Sequence, residues 1–339
     1  MAEHLTIRGG IDSSAVYKEE VIYATNPGSW TTGAKHFGLT QSVTPTLSRN
    51  LARLRGLSGA LPTTNAMSTS RDAQKIVAGK SDLSVSIEYQ PQDFSFLKYV
   101  LGSVSGTTTL SYPQATALTE VDKRKYIKIP SFSIAQRYDF GGVGTDDKDT
   151  ALIFTGLKVD SWEITAAIGE PVKCNVNAIG SNVIVDDNTV STNYPYVALS
   201  AEDVYHFVDS EIEIGATPMP NLIEGFTLSI NNSAQGLGDI RSYVNEAVVV
   251  MGRDWQLKID ATSENVTWIR QLLGANTGVA TQGVIETITL RLDKGSGKTC
   301  VFTLKNLKQA DALPGTTYGD IMKESITLEA EYGYCVETI

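Results

Sequence analysis

Residues 82–106 read DLSVSIEYQPQDFSFLKYVLGSVSG and residues 254–278 read DWQLKIDATSENVTWIRQLLGANTG, so the two stretches align without a gap. Each begins with alternating apolar and polar residues, which is typical of a strand with one buried face. Each continues through an apolar-rich segment that ends in Leu-Gly, as a short helix with a glycine stop does. The shared pattern predicts that a strand and its following helix have been duplicated.

Further matches extend the duplication over most of the chain. They align residues 137–139 (RYD) with 291–293 (RLD), 153–155 (IFT) with 301–303 (VFT), and the alternating run 172–178 with 326–332. A chain of 339 residues is also long enough for two domains. We therefore expect an all-β protein with two tandem β-barrel or β-sandwich domains, each with one short flanking α-helix. The expected bounds are 1–185 for the first domain with an N-terminal arm, 186–220 for a linker and the start of the second domain, and 221–339 for the second domain.

Composition and charge narrow the classes of function. Hydrophobic residues make up 42% of the chain, charged residues only 19%, and 29 glycines favour a turn-rich β protein. A net charge of −10 disfavours a surface that holds nucleic acid non-specifically. We expect no membrane insertion and no secretory signal, because long apolar runs are missing from the sequence and from its first ten residues. Cys174, Cys300 and Cys335 are expected to be small buried hydrophobes in a reducing compartment.

No motif predicts catalysis or cofactor binding. The string 295–299 (GSGKT) ends like a phosphate-binding loop, but that motif needs a glycine where this chain has Leu292. The string also lies between two alternating strands, so a hairpin turn is the simpler interpretation. The three histidines, His4, His36 and His206, have no partners at the spacing of a catalytic triad or a metal site. We therefore predict no enzyme, no cofactor and no catalytic, cofactor-binding or metal-binding residues.

A family resemblance rests on several short segments read together. They are Tyr23-Ala24-Thr25, then Ser48-Arg49-Asn50 or Ile230-Asn231-Asn232 ahead of a loop, and then the duplicated strand and helix that begin at Asp82 and Asp254. With these segments the chain resembles the tail tube proteins of tailed viruses, which infect bacteria or archaea. The resemblance implies a structural virion protein whose β domains surround a channel for viral DNA, six domains to a ring. Two domains in one chain then imply a trimer with a pseudo-hexameric ring.

The resemblance also implies partners and a location. The chain would assemble with itself into stacked rings and would meet tape measure, tail terminator and baseplate or tip proteins, while DNA passes only transiently. It would be made in the host cytoplasm and act in the virion tail, without inserting into a membrane.

Two sets of residues are candidates for this function. The stretch between Asn50 and Asp82 is about ten residues longer than its counterpart in the second half, and long loops inside compact domains are often functional. Its leucine spacing predicts a short helix or a docking loop, so the subunit-contact candidates are Leu51, Arg53, Leu54, Arg55, Leu57 and Leu61. An inert surface insertion is the alternative. The polar positions of the duplicated strands face either a lumen or the outer solvent, and the possible lumen-facing residues are Asp82, Glu88, Asp254 and Asp260.

The sequence is also compatible with other classes of protein. A duplicated all-β chain also suits a capsid-decorating or surface-lattice protein. A receptor- or carbohydrate-binding β-sandwich is a further alternative, which predicts exposed aromatic residues in loops, such as Trp30 and Tyr194.

Overall fold

In a computed structural model of the chain, most of the described residues lie in β-strands, so the expected all-β class is confirmed. It describes residues 13–54, 75–102, 104–112, 129–138, 150–187, 193–194, 202–215, 217–218, 222–239, 242–262, 284–294, 297–311 and 323–338. The strands are β1 (Ser13–Glu19), β2 (Leu39–Leu54), β3 (Lys75–Gln90), β4 (Thr109–Tyr112), β5 (Phe132–Tyr138), β6 (Thr150–Ala167), β7 (Lys173–Gly180), β8 (Asn182–Asp186), β9 (Ser210–Ile214), β10 (Thr217–Pro218), β11 (Leu222–Asn231), β12 (Ala234–Gly238), β13 (Asn245–Val250), β14 (Asp254–Thr262), β15 (Ile285–Asp293), β16 (Thr299–Asp311) and β17 (Lys323–Thr338). One α-helix, α1 (Leu97–Leu101), and one 3-10 turn (Phe207–Asp209) complete the described elements.

The strand pairing repeats in the same order in the two halves. In the first half, β1 pairs with β5, and the ladder continues through β6, β7 and β3 to β2. In the second half, β9 pairs with β15, and the ladder continues through β16, β17 and β14 to β11. All of these pairs are antiparallel. The repeated order is what a structural duplication requires.

The registers correct part of the sequence alignment. Val85 pairs with Ala178, whereas its equivalent Leu257 pairs with Leu328, so residues 178 and 328 are structurally equivalent. The match of 172–178 with 326–332 was therefore wrong by four residues. The match of 153–155 with 301–303 was wrong by two, because Val159 pairs with Ala178 and Gln309 pairs with Leu328, which aligns 153–155 with 303–305. An alternating run looks the same after a shift of two or four positions, so its periodicity alone does not fix the alignment.

Two irregularities confirm the corrected register. A bulge lies between Val159 and Ser161 in β6 and between Gln309 and Asp311 in β16, which are equivalent positions. Gly156 and Asn306, also equivalent, both adopt positive φ angles of 71° and 55°. Glycine and asparagine are the residues that tolerate this conformation best. The backbone thus repeats even where the side chains differ.

One continuous sheet joins the halves. Strand β6 pairs with β5 and β8 along its first part and with β11 along its last part, where Leu228 lies opposite Ile164. In return, β4 of the first half pairs with the end of β17, where Tyr112 lies opposite Cys335. The main hydrophobic core accordingly contains residues from both halves, including all three cysteines, which are buried and free. The division into tandem barrels with bounds at 185 and 221 stays a prediction.

The helix of the first copy is held by residues of the second half. Helix α1 ends at Gly102, whose amide bonds to the Lys98 carbonyl and whose φ is 103°, so the predicted glycine stop is confirmed. The side-chain amide of Asn232 donates to the carbonyls of Val100 (3.1 Å) and Val159 (3.3 Å). Arg253 donates to the Asn232 side-chain oxygen (2.9 Å) and to the Val100 carbonyl (3.0 Å). The helix expected between residues 263 and 278 lies outside the described residues.

Replacing Asn232 should therefore loosen the junction between the halves. The variant Asn232→Ala removes three buried hydrogen bonds, to the carbonyls of Val100 and Val159 and from Arg253, and such a loss typically costs about 1–3 kcal/mol in the free energy of unfolding. The exposed Asn175→Ala is the matched control and should change stability by less than about 0.5 kcal/mol. Urea unfolding of both variants checks this, and equal stabilities would contradict the assigned role.

A buried carboxylate also links the halves. Glu337 of β17 accepts hydrogen bonds from the Phe94 amide (2.8 Å) and the Tyr112 hydroxyl (3.3 Å), and both donors belong to the first half. Burial raises the pKa of Glu337 from 4.5 to about 7. The folded state thus holds this proton more tightly than the unfolded state does.

This pKa predicts how stability changes with pH. Because the folded-state pKa is raised, Glu337 makes folding progressively less favourable as pH rises from about 4.5 to about 7, and the loss is complete above that range. The variant Glu337→Gln cannot ionise and should lose this part of the pH dependence. Urea unfolding of both proteins across that range tests the prediction, and identical pH profiles would contradict it.

Candidate functional site: a polar sheet face and a free edge

One face of the sheet is polar across seven neighbouring strands. In β3, Asp82, Ser84, Ser86 and Glu88 point away from the core, because the residues between them are buried. Cross-strand pairing continues this face from strand to strand. One row of paired residues consists of Ser42, Glu88, Asn175, Glu163, Ser229, Gln256 and Glu329, and Lys308 of β16 lies opposite Glu329 at the end of the row. The row therefore contains three carboxylates and ends in one lysine.

The four predicted lumen candidates share this face. Asp254 pairs with Asn231 and Asp260 pairs with Gly225 of β11, on the same side as the row described above. A shallow depression of about 600 Å³ lies on the face and is lined by residues of β3, β6, β7, β11 and β14. The structure therefore brings Asp82, Glu88, Asp254 and Asp260 onto one surface, and their role in a lumen stays a prediction.

Three lysines on or beside this face have carboxylate partners, whereas Lys308 is exposed and lies opposite Glu329 on the neighbouring strand. The ammonium groups of Lys80, Lys258 and Lys323 lie 3.1 Å from Asp82, 3.4 Å from Asp260 and 2.6 Å from Glu224, respectively. The hydrogen bond from Lys323 lowers the pKa of Glu224, so this carboxylate stays ionised. Phosphate binding depends on accessible positive charge, and paired lysines supply little of it. Carboxylates outnumber lysines in the row by three to one, and this acidic surplus disfavours holding a polyanion.

Strand β2 is a free edge of the sheet within the described residues. It pairs with β3 alone, although its equivalent in the second half, β11, pairs on both sides. The backbone amide of Asn232, at the end of β11, donates to the Asp160 carbonyl of β6 (2.7 Å). Every second backbone amide of an antiparallel strand points to the same neighbour, so every second amide of β11 counted back from Asn232 also faces β6. The pairing of β2 with β3 shows which residues of β2 are equivalent to these positions of β11. They are Val43, Pro45 and Leu47. Proline is tolerated in a strand where its missing amide would face an edge, as here.

The long stretch after Asn50 is not a loop at its start. Leu51, Arg53 and Leu54 continue β2 and pair with Ala78, Ile76 and Lys75 of β3, so the expected helix or loop was wrong there. A bulge between Arg49 and Leu51 interrupts the alternation, which is why the leucine spacing did not indicate a strand. Of the contact candidates, Leu51 is exposed, and Arg55, Leu57 and Leu61 lie outside the described residues.

The equivalent hairpin of the second half folds back instead of projecting. Strands β12 and β13 form a separate two-stranded sheet packed on β6 and β7. The Ala234 amide bonds to the Asp160 carboxylate (2.7 Å), and the Ser81 amide bonds to the Tyr243 carbonyl (2.7 Å). The two halves thus share a scaffold and differ in these hairpins.

The described residues offer little for chemistry. They contain no cluster of three or more metal-ligating side chains. The string that ends like a phosphate-binding loop joins β15 to β16, and a Lys294 amide to Lys298 carbonyl bond (3.0 Å) closes a hairpin turn, as predicted. Trp30 and Tyr194 are buried with ring centroids 6.1 Å apart, so the expectation that they are exposed for sugar binding was wrong.

Comparison with known proteins decides the family. A family model described as phage tail tube protein matches residues 10–331, which is nearly the whole chain. The chain belongs to the phage tail tube protein family. The tail tube resemblance is thereby confirmed, and the protein is a structural component of the virion tail. Its family is structural and is not a known enzyme family.

Two further findings concern relatives and membrane-spanning helices. No curated protein matches this tail tube chain significantly. No helix among its described residues has the length and hydropathy needed to cross a membrane.

Proposed function

We propose that three copies of this chain form a closed ring, that rings stack into a hollow tube, and that the polar sheet face lines the channel through which viral DNA passes. The observation that carries this proposal is the unequal use of two equivalent strands. The chain pairs β11 with the end of β6, whereas its equivalent β2 has no second neighbouring strand among the described residues. A closed ring is a stable way to pair such an edge.

The register predicts the strand that β2 would meet. Strand β11 contacts β6 from Ser161 onward, and Asp311, the last residue of β16, is equivalent to Ser161. We infer that β2 of one chain pairs with the next chain at this end of β16. The chain contains two similar halves, and the family resemblance implies six such domains in a ring. A ring therefore contains three chains.

The channel wall follows from the same arrangement. Adding β2 to the next copy extends the row of polar side chains around the ring, because Ser42 is already its outermost member. The row carries three carboxylates, two side-chain amides and one lysine, Lys308, and the three other lysines described above are paired with carboxylates. A wall of this kind repels DNA phosphates and does not hold them, which favours passage over binding. Tape measure, terminator and baseplate or tip proteins remain proposed partners.

Proline substitutions test the proposed edge pairing. Leu47→Pro removes an amide that faces the edge, so the free energy of unfolding of the subunit should change by less than about 1 kcal/mol, while self-assembly should weaken up to about tenfold. The neighbouring Thr46→Pro removes an amide that faces β3 and should destabilise the subunit by about 3 kcal/mol or more. Urea unfolding measures the stabilities, and sedimentation velocity measures the assembly. Normal assembly of a folded Leu47→Pro subunit would contradict the pairing.

Added positive charge tests the channel wall. Virions whose tails carry Ser86→Lys and Gln256→Lys should release DNA more slowly at low ionic strength and recover at high salt, because new phosphate contacts form in the channel. Val21→Lys with Val185→Lys is the matched control, since both side chains are exposed and lie off the polar face. The measurement is the fraction of DNA released with time. Equal release from both kinds of virion would exclude this face from the channel.

A further inference from the structure

Two of the three cysteines contact each other in the core of the second half. The sulfur atoms of Cys300 in β16 and Cys335 in β17 lie 3.2 Å apart. Both side chains are fully buried, and both thiols are free. Cys300 lies opposite Glu337, and Cys335 lies opposite Phe302. The two cysteines are therefore diagonal neighbours on one face of a strand pair, which is a position from which two sulfur atoms can bond.

The duplicated scaffold does not require this pair of thiols. In the first half, the equivalent positions hold Thr150 and Val185, as the matching registers show. Val185 is exposed, whereas its equivalent Cys335 is buried where β4 of the first half pairs with β17. Two halves with the same backbone thus carry the thiol pair only once. The pair is a property of the second half and not of the fold.

The surroundings of the pair limit which oxidants can react with it. Tyr112 of β4 lies opposite Cys335 and also donates a hydrogen bond to Glu337, the cross-strand neighbour of Cys300. Burial raises the pKa of both thiols, so they stay protonated. Buried, protonated thiols react slowly, and bulky or charged oxidants are excluded from them. A small neutral oxidant such as hydrogen peroxide suits this site better.

The oxidation balances with hydrogen peroxide as the oxidant. One sulfur attacks a peroxide oxygen, the O–O bond breaks, and a sulfenic acid and one water form. The second sulfur attacks the sulfenic sulfur, the S–S bond forms and the S–O bond breaks, and the hydroxyl leaves with the thiol proton as a second water. The two sulfurs lose two electrons, which the peroxide gains. A disulfide bond is about 2.05 Å long, so the sulfur atoms need to approach by roughly 1.2 Å.

We propose that Cys300 and Cys335 are a disulfide-forming pair, which peroxide converts into a covalent link between β16 and β17. The link closes a loop over residues 300–335 and restricts the unfolded chain, which stabilises the folded state. Virion surfaces are among the oxidising surroundings in which disulfides persist. Free thiols in the newly made chain and a disulfide in a released virion tail are therefore compatible. The proposal concerns a single subunit and stands whether or not the rings form.

Peroxide treatment of the folded, full-length chain tests the pair. The protein is treated with hydrogen peroxide, quenched with catalase, denatured, alkylated with iodoacetamide and digested for mass spectrometry. We expect peptides joined through Cys300 and Cys335, lighter by two hydrogen atoms and separated by dithiothreitol. Cys174→Ala is the matched control, because it removes a buried cysteine outside the pair, and it should form the same link. Cys335→Ala should form none.

Three results of that experiment would overturn the proposal. They are alkylation of both Cys300 and Cys335 after peroxide treatment, separate sulfinic acids on the two residues, and a disulfide that includes Cys174.

Urea unfolding tests the consequence of the link. The linked chain should have an unfolding equilibrium constant at least about thirtyfold lower than that of the reduced chain, and dithiothreitol should restore the original value. Peroxide-treated Cys335→Ala should gain no stability. The comparison of linked and reduced forms of the unmodified chain needs no substitution, so it is decisive even where a variant folds poorly. Equal stabilities of these two forms would overturn the stabilising link.

Discussion

The pairing of β11 with the end of β6 is the interaction on which the rest of the structure depends. It joins two similar halves through backbone hydrogen bonds and places Leu228 against Ile164 in a shared core. Asn232 extends the junction by binding the carbonyls of Val100 and Val159. Because one equivalent edge is used within the chain, the other edge, β2, remains for a neighbour. The polar face runs across this junction and reaches β2, so the same pairing sets where a channel wall would continue.

Much of the fold was predictable, because it depends on patterns that local sequence carries. Alternation predicted the strands at 82–88 and 254–260, and a glycine after apolar residues predicted the end of helix α1 at Gly102. The register was not predictable in the same way, because a period of two leaves the alignment of Ala178 with Leu328 or Tyr332 undecided. The bulge after Arg49 likewise interrupts the alternation of apolar and polar residues, so the continuation of β2 to Leu54 was not predicted. Local periodicity predicts elements, whereas register depends on partners far away in the chain.

The candidate site shows the same difference between features that local periodicity predicts and features that depend on distant parts of the chain. The outward positions of Asp82, Glu88, Asp254 and Asp260 followed from alternation, and the structure brings them to one surface. An apolar groove of about 400 Å³, lined by Ile168, Val208 and Ile223 among others, could not be predicted, because its walls come from three segments that are distant in sequence. Trp30 and Tyr194 illustrate the opposite error. Each lies in a turn-rich segment that predicts exposure, yet the two rings pack together in a small second core.

The most direct test of the proposed ring is a cryo-electron microscopy reconstruction of the assembled protein at a resolution that separates strands. We expect hollow tubes of stacked rings with three chains each, in which β2 of every chain lies beside the end of β16 of the next and the face carrying Glu88 and Asp254 surrounds the channel. A reconstruction in which β2 stays exposed to solvent, or pairs with β2 of a second chain around a twofold axis, would contradict it.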